Sequence, residues 1–279
     1  MGSIVIPGYQ VAGKIKDGGF SSVYRGRRIA DGRDVALKVL SETARRGSFA
    51  SKSFRHEAQV LRHFNHPSVI SFCEFLTSTS RPVLVLDYFQ GESIKSLLYR
   101  KSALPHNHLI RLFQRSIEAL GHMHEKGFIH RDVKPENILL GPEGEVRLID
   151  FSLAQKQNLF SRISFFGRKK RQGTPLYMAP EQIRLKPIDP RTDFYGLGAT
   201  MYEVMTGSPP FPGASTEDIL AKHLRDKPRP IEDESLPRPL RELVLRLLSK
   251  KIERRPETQS EILSILNRFQ DPVHLSTSS

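Results

Sequence analysis

Over the first 86 residues, apolar and polar positions alternate in short runs closed by turn residues, the two-residue period of strands rather than the 3.6-residue period of helices. Runs at 9–15, 22–29 and 35–40 predict a meander of three strands, with Asp31-Gly32 as the turn before the third. One helical pattern interrupts the alternation. Phe54, Ala58 and Leu61 recur on one face and leave Lys52, Arg55 and Arg62 for solvent. Runs at 69–76 and 82–87 predict two further strands, and beyond Gly91 the period changes. Ile110, Phe113, Ile117 and Leu120 stand at helical spacing, as do Leu240, Leu243, Val244 and Leu247, while Pro228, Pro230, Pro237 and Pro239 mark a long loop between those helices. The expected class is α+β: a small, mainly antiparallel β part with one key helix, then a larger, mainly helical part, then a frayed tail at 271–279.

Composition narrows this picture without naming a function. The chain has 279 residues, 38% hydrophobic and 26% charged, which suits an ordinary globular protein of two closely joined lobes. No run approaches the roughly 18 apolar residues of a membrane helix, and MGSIVIPGYQ lacks the pattern of a secretory signal, so membrane contact by this part of the chain is not expected. Cys73 is the single cysteine, which excludes an internal disulfide; set among Val69, Ile70, Phe72 and Phe75, it reads as a buried, reduced thiol in a cytoplasmic protein. The net charge of +13 raises the question of nucleic acid, but no recognition motif accompanies it. The same excess suits a protein that handles phosphates or acidic partners. His106/His108 and His122/His124 each stand two apart, which on a helix puts the members of a pair on different faces and argues against a metal site.

The sharpest local signal is His130-Arg131-Asp132-Val133-Lys134-Pro135-Glu136-Asn137, placed between a helical segment and the short strand at 138–140. It resembles the catalytic loop of the eukaryotic-type (Hanks-type) serine/threonine protein kinase family. Further signatures follow in that family's order from about residue 9 to about residue 269. The resemblance implies the bilobal protein kinase fold, with residues 1–86 as N-lobe, 87–91 as hinge and 92–270 as C-lobe, 9–270 forming one catalytic domain. It also implies ATP with Mg²⁺ or Mn²⁺, and Ser/Thr hydroxyls of proteins as acceptors, the chain's own included.

The chemistry explains why these residue types occur. Phosphoryl transfer passes through a loose transition state whose charge is spread over oxygens, so the protein mainly positions reactants and neutralises charge. By resemblance, Asp132 is the base, Lys134 lies against the γ-phosphate, and Asn137 and Asp150 supply hard oxygen ligands to the metal. Lys38, in Val35-Ala36-Leu37-Lys38, would hold the α- and β-phosphates with Glu57 as its ion-pair partner. Ile15, Val23, Ala36 and Leu139 would sandwich the adenine, Leu86 would guard the back pocket, and backbone groups of Asp87 and Phe89 would read its edge. These groups are expected to converge in a cleft around a metal-bound triphosphate.

Two places depart from the family. The nucleotide-covering loop reads Lys16-Asp17-Gly18-Gly19-Phe20-Ser21-Ser22-Val23, so Lys16 and Ser21 replace the first and third glycines of G-x-G-x-x-G. Fewer glycines imply weaker or slower nucleotide binding, and a pseudokinase scaffold without turnover is the alternative reading. Ser152 replaces the glycine after the Asp150-Phe151 pair and should restrict rearrangement of both residues.

Lys134 and Thr174 mark a serine/threonine rather than a tyrosine kinase by resemblance, Glu181 is expected to pair with Arg255, and Asp193 to anchor the catalytic loop. Between Asp150 and Glu181 there is no acidic residue, while Lys156, Arg162, Arg168, Lys169, Lys170 and Arg171 are basic. Such a segment should repel Arg131 until it is neutralised, which makes Ser161 and Ser164 candidate phosphosites and an acidic partner a candidate ligand. The segments at 191–198 and 205–211 look more like bacterial than animal members of the family.

Overall fold

The structure is a computed structural model that describes residues 4–42, 44, 48–77, 79, 81–101, 104–157 and 171–269. Chain contacts divide it into two compact units, Met1–Gln90 with Asp150–Ser152, and Gly91–Ile149 with Leu153–Ser279.

The first unit holds strands β1 (Tyr9–Asp17), β2 (Ser21–Arg28) and β3 (Asp34–Leu40), helix α1 (Phe49–Leu61), then β4 (Phe72–Leu76) and β5 (Val83–Asp87). They form one antiparallel sheet in the order β1-β2-β3-β5-β4. The Asp31-Gly32 turn takes the expected form, with Gly32 at φ +72° and the Asp31 carboxylate accepting from the Arg33 amide at 3.1 Å. Alternation along β3 sorts its side chains. Val35, Leu37 and Val39 are buried with Val83, Val85, Ile6 and Tyr9 in one apolar cluster. Each such side chain contributes about 1.5–3 kcal/mol on leaving water. Ala36 and Lys38 therefore point to the opposite face, where they pair in register with Leu86 and Leu84 of β5. Helix α1 starts at Ser48, whose side chain accepts from the Ser51 amide at 3.3 Å, and packs Phe54 on Phe75 of β4 at 5.9 Å between ring centroids.

Two expectations need correction here. The predicted strand at 69–76 begins only at Phe72, because His66 turns the chain: its ring accepts from the Ser68 amide at 3.0 Å and its carbonyl from Val69 at 3.0 Å. Val69 and Ile70 are buried outside the strand. Cys73 is half-buried rather than buried, since β4 is an edge strand of the sheet. Burial pushes its thiol pKa up.

The second unit contains β6 (Glu92–Ser93), α2 (Ile94–Tyr99), α3 (His106–Glu125), β7 (Phe128–Ile129), β8 (Ile138–Leu140), β9 (Val146–Leu148), β10 (Gln155–Lys156), α4 (Pro180–Ile183), α5 (Arg191–Thr206), α6 (Thr216–Arg225), α7 (Arg238–Leu247) and α8 (Gln259–Leu266). Its small strands form β6-β8-β9 and β10-β7. The predicted helical sets fall on α3 and α7, with Phe113, Ile117, Leu120, Leu240 and Val244 fully buried. Helix α5 is buried from Thr192 to Glu203. Two glycines let its neighbours approach: a Cβ on Gly198 would lie 2.7 Å from Leu247 Cβ of α7, and one on Gly196 would lie 3.0 Å from the Val133 carbonyl. Among the described residues no helix is long and apolar enough to cross a membrane. Ser161, Ser164, Arg162, the basic residues 168–170 and the tail at 271–279 lie outside the described residues.

The expected Glu181–Arg255 pair forms, with NH1 and NH2 of Arg255 donating to the two carboxylate oxygens at 2.7 and 2.8 Å. Thr192 Oγ donates to the same carboxylate at 2.9 Å, and the Arg255 guanidinium also bonds the carbonyls of Arg191 and Ser249, so the pair is satisfied on every side. Arg255→Met is expected to cost about 3–5 kcal/mol, because it leaves the Glu181 charge buried without its cation. The double variant Glu181→Leu/Arg255→Met should recover most of that loss, and urea denaturation of the three proteins checks both statements.

Candidate functional site

The sequence-predicted residues fall in both units. In the first unit lie residues 15–23, Ala36, Lys38, Glu57, Leu86, Asp87, Phe89 and Asp150; in the second lie Asp132, Lys134, Asn137 and Leu139.

Lys38 leaves β3 on the face opposite the apolar cluster, and its Nζ donates to both oxygens of Glu57 at 2.8 and 2.7 Å. Asp150 Oδ1 is 3.8 Å from the same ammonium. Glu57 is 2% exposed and comes from the inner face of α1. Burial works against the Lys38 charge, yet the carboxylates of Asp150 and Glu57 outweigh it and push its pKa above the ordinary lysine value. Asp150 holds φ +63°, a left-handed conformation that a residue with a Cβ adopts at a cost of roughly 1–3 kcal/mol. Phe151 is fully buried, with its ring 5.5 Å from that of Phe64.

Around Lys38 the register gathers predicted pocket residues. Val23 pairs with Lys38 across β2 and β3, and Ala36 with Leu86 across β3 and β5. Ile15 is exposed, and Val23 and Ala36 are half-buried. The predicted glycine loop shrinks to residues 18–20, since Lys16 and Ser22 are ladder residues paired with Val23 and Asp17. The Gly18 amide donates to the Ser21 carbonyl at 2.8 Å and closes the turn, and Asp17 accepts from Ser22 Oγ at 2.6 Å. Asp87 ends β5 with its carboxylate on Arg33 at 2.9 Å.

In the second unit, residues 130–137 run from β7 to β8, with a short 3₁₀ turn over Pro135–Asn137. The Asp193 carboxylate, from the first turn of α5 and 1% exposed, fixes their start. It accepts from the His130 amide and the Arg131 amide, both at 2.8 Å, and from His124 Nε2 at 2.8 Å. Those bonds hold Arg131 at φ +71°, a second strained non-glycine residue. His130 accepts at Nδ1 from the Asp132 amide at 3.3 Å, so its Nε2 carries the proton it donates to the Ile149 carbonyl at 3.3 Å. The Arg131 guanidinium turns to Gln155 at 3.0 Å and Gln172 at 3.2 Å, and its Nε is buried without an acceptor among the described residues. Burial draws its pKa below the ordinary arginine value.

Asp132 is thereby presented with its oxygens already directed. Oδ1 accepts from Thr174 N and from Thr174 Oγ1, both at 2.9 Å. Oδ2 lies 2.6 Å from Lys134 Nζ, which also donates to Thr174 Oγ1 at 2.7 Å. Asn137 Nδ2 donates to the Asp132 carbonyl at 2.9 Å, leaving its amide oxygen as the metal-capable atom. His223, fully buried on α6, donates from Nε2 to the Leu176 carbonyl at 3.1 Å and accepts at Nδ1 from Tyr195 OH at 2.8 Å, which ties the segment after Thr174 to α5 and α6. Burial, aided by Lys250, lowers the pKa of His223 to about 3, so the ring stays neutral and keeps this tautomer.

Among the described residues no group of three His, Cys, Asp or Glu could hold an ion unaided. The Asp150 carboxylate of the first unit and the Asn137 amide oxygen of the second are each of the hard-oxygen type that a divalent ion takes. The spacing of His124 from His122 does not mark it as a partner of Asp193. A histidine six residues before the His130 loop, on the face of a buried helix, was the signal available.

Comparison with known proteins gives the same direction. Residues 9–265 match the family model described as protein kinase domain. The chain is 31% identical over its whole length to a probable serine/threonine-protein kinase of Clostridium perfringens, covering 41% of that protein. It is 34% identical over 93% of its length to the serine/threonine-protein kinase PknB of Mycobacterium leprae, covering 42% of it. With pkn2 of Myxococcus xanthus it shares 33% identity over 95% of its length, covering 33% of the relative. The chain thus spans from a third to about two fifths of the length of these curated relatives.

Burial alone would raise the pKa of Asp193; the bonds from His124, His130 and Arg131 outweigh it and lower the pKa below the ordinary carboxylate value. A carboxylate whose folded pKa is depressed contributes stability above its unfolded value and loses it as pH falls through the folded value. Asp193→Asn is therefore expected to cost about 2–4 kcal/mol at pH 7, with the gap to the native chain narrowing as pH falls below about 4. Urea denaturation across that pH range measures it.

Proposed function

Because the chain belongs to the protein kinase domain family, we propose that it transfers the γ-phosphoryl group of Mg²⁺-bound ATP to serine or threonine hydroxyls of protein substrates, its own included. The observation that carries this reading is the set of bonds around Asp132: a carboxylate with one oxygen fixed by Thr174 and the other beside the Lys134 ammonium. When bound, the metal–nucleotide supplies the transferable group and most of the charge neutralisation.

The chain's own residues do the rest. Asp132 orients the acceptor hydroxyl and takes its proton as the new P–O bond forms. Lys134 places a positive charge where the transition state carries excess negative charge. Lys38, held charged by Glu57 and Asp150, offers its ammonium to phosphate oxygens, while Asn137 and Asp150 would hold the metal. Val23, Ala36 and Leu86, sharing the Lys38 face of the sheet, would take the apolar base. Glu57, Ser152 and the buried Phe151 keep Asp150 in its strained conformation. The basic segment from Lys156 to Arg171 suits acidic substrates, and a cytoplasmic setting suits an ATP-dependent enzyme.

The pseudokinase reading draws on Lys16 and Ser21. Neither residue takes a positive φ, so neither position demands glycine, and the complete set Lys38, Glu57, Asp132, Asn137 and Asp150 opposes it.

Asp132→Asn should lower phosphoryl transfer to a generic basic protein by about 10²–10⁴-fold with nucleotide affinity retained. Lys38→Met should lower both transfer and Mg·ATP affinity. Radiolabelled transfer together with equilibrium nucleotide binding measures these, and an Asp132→Asn variant as active as the native chain would overturn the assignment.

A further inference from the structure

Serine at position 53 is a poor choice for the interior of a helix. It forms helix less readily than alanine by about 0.5 kcal/mol, and inside a helix its hydroxyl tends to bond back to the carbonyl four residues earlier. Ser53 does otherwise. It is 9% exposed, and its Oγ donates to the carbonyl of Ser152 at 3.2 Å, ninety-nine positions along the chain. Ser53 and Glu57 stand four apart on α1, hence on one face. From that face two links run to the Asp150–Ser152 segment, the Ser53 hydroxyl to the Ser152 carbonyl and the Glu57 carboxylate to the Phe151 amide. The segment then closes on itself and on the strand. The Ser152 amide donates to Asp150 Oδ1 at 3.3 Å, and that same oxygen lies 3.8 Å from Lys38 Nζ, which bonds Glu57.

The result is a closed circuit of Lys38, Glu57, the turn of α1, Ser53, Ser152 and Asp150, every member of which lies in the first unit. Asp150 needs such a circuit, because its φ of +63° would relax if the neighbouring peptide were free to turn. Ser152 adopts no positive φ, so the segment rests in a conformation that serine tolerates and glycine is not required to reach.

We propose that Ser53 is a positioning residue for Asp150: by holding the Ser152 carbonyl, its hydroxyl keeps the metal-binding carboxylate in its strained, Lys38-facing conformation and couples that conformation to the placement of α1. This rests on the kinase reading of Asp150 as a metal ligand.

The test compares the native chain with Ser53→Ala, which improves helix propensity and so preserves α1. Nucleotide affinity is measured by equilibrium binding of ATP with Mg²⁺ and again with chelator, and amide hydrogen exchange is followed for peptides covering 150–153 and α1. Removing one neutral hydrogen bond should weaken Mg·ATP binding about 3- to 10-fold, leave metal-free binding unchanged, and speed exchange at 150–153 while α1 exchanges as before. Equal losses with and without metal, or unchanged exchange at 150–153, would overturn the role of Ser53. A native chain that transfers phosphate with no metal-dependent gain in nucleotide affinity would overturn it too. A native chain that neither binds Mg·ATP nor transfers phosphate would instead defeat the kinase reading from which it starts.

Discussion

Burial at 2% exposure pushes the pKa of Glu57 up, and the ammonium that meets both of its oxygens works against that, while Lys38 stays charged because two carboxylates answer its one charge. An unpaired charge at that depth would cost several kcal/mol. The pair therefore constrains everything attached to it. β3 must keep its register so that Lys38 emerges opposite Val35, Leu37 and Val39; α1 must present Glu57 inward; and Asp150 must hold a backbone conformation that L-residues avoid. Three elements from distant parts of the sequence are thus fixed by a few ångströms of electrostatics, and the apolar cluster under the sheet supplies the stiffness that lets them stay fixed.

The second unit solves the same problem with hydrogen bonds. Asp193 is as buried as Glu57 but has no lysine; two backbone amides and His124 satisfy it instead. Because amides are part of the loop itself, the carboxylate shapes the backbone as it is neutralised, which is how Arg131 comes to sit at φ +71° and Asp132 to face Thr174. Glu181 takes a third route, a bidentate guanidinium. In all three cases a buried carboxylate specifies geometry for a neighbouring segment.

How much of this could be read from the sequence depended on whether a residue's role is carried by its neighbours in the chain or by its partners in space. The resemblance carried by motif order implies the Lys38–Glu57 and Glu181–Arg255 pairs, and both form. His124 and Ser53 have partners 69 and 99 positions away, so a histidine on a buried helix and a serine inside one mark the positions without naming what they bond. Cys73 misled because an apolar run on an edge strand is covered on fewer sides than the same run at the centre. The apolar run at 69–76 is longer than its strand, Phe72–Leu76, because hydrophobicity marks burial while the His66 turn decides where pairing begins.

The departures from the glycine pattern take on a different meaning once backbone angles are considered. A glycine is indispensable where φ is positive, and none of Lys16, Ser21 and Ser152 has a positive φ. Lys16 and Ser21 are strand residues, and glycine inside a strand weakens it. Replacing it there lengthens β1 and β2 toward one another until only residues 18–20 remain as a turn, closed by the Gly18–Ser21 bond and stapled by Asp17 and Ser22. Serine at 152 likewise narrows the conformations open to the segment after Asp150. Both substitutions remove conformational freedom from the unbound chain, so less of it is lost when a ligand must be held. The turn at 18–20 and the segment after Asp150 are thus ordered in the unbound chain.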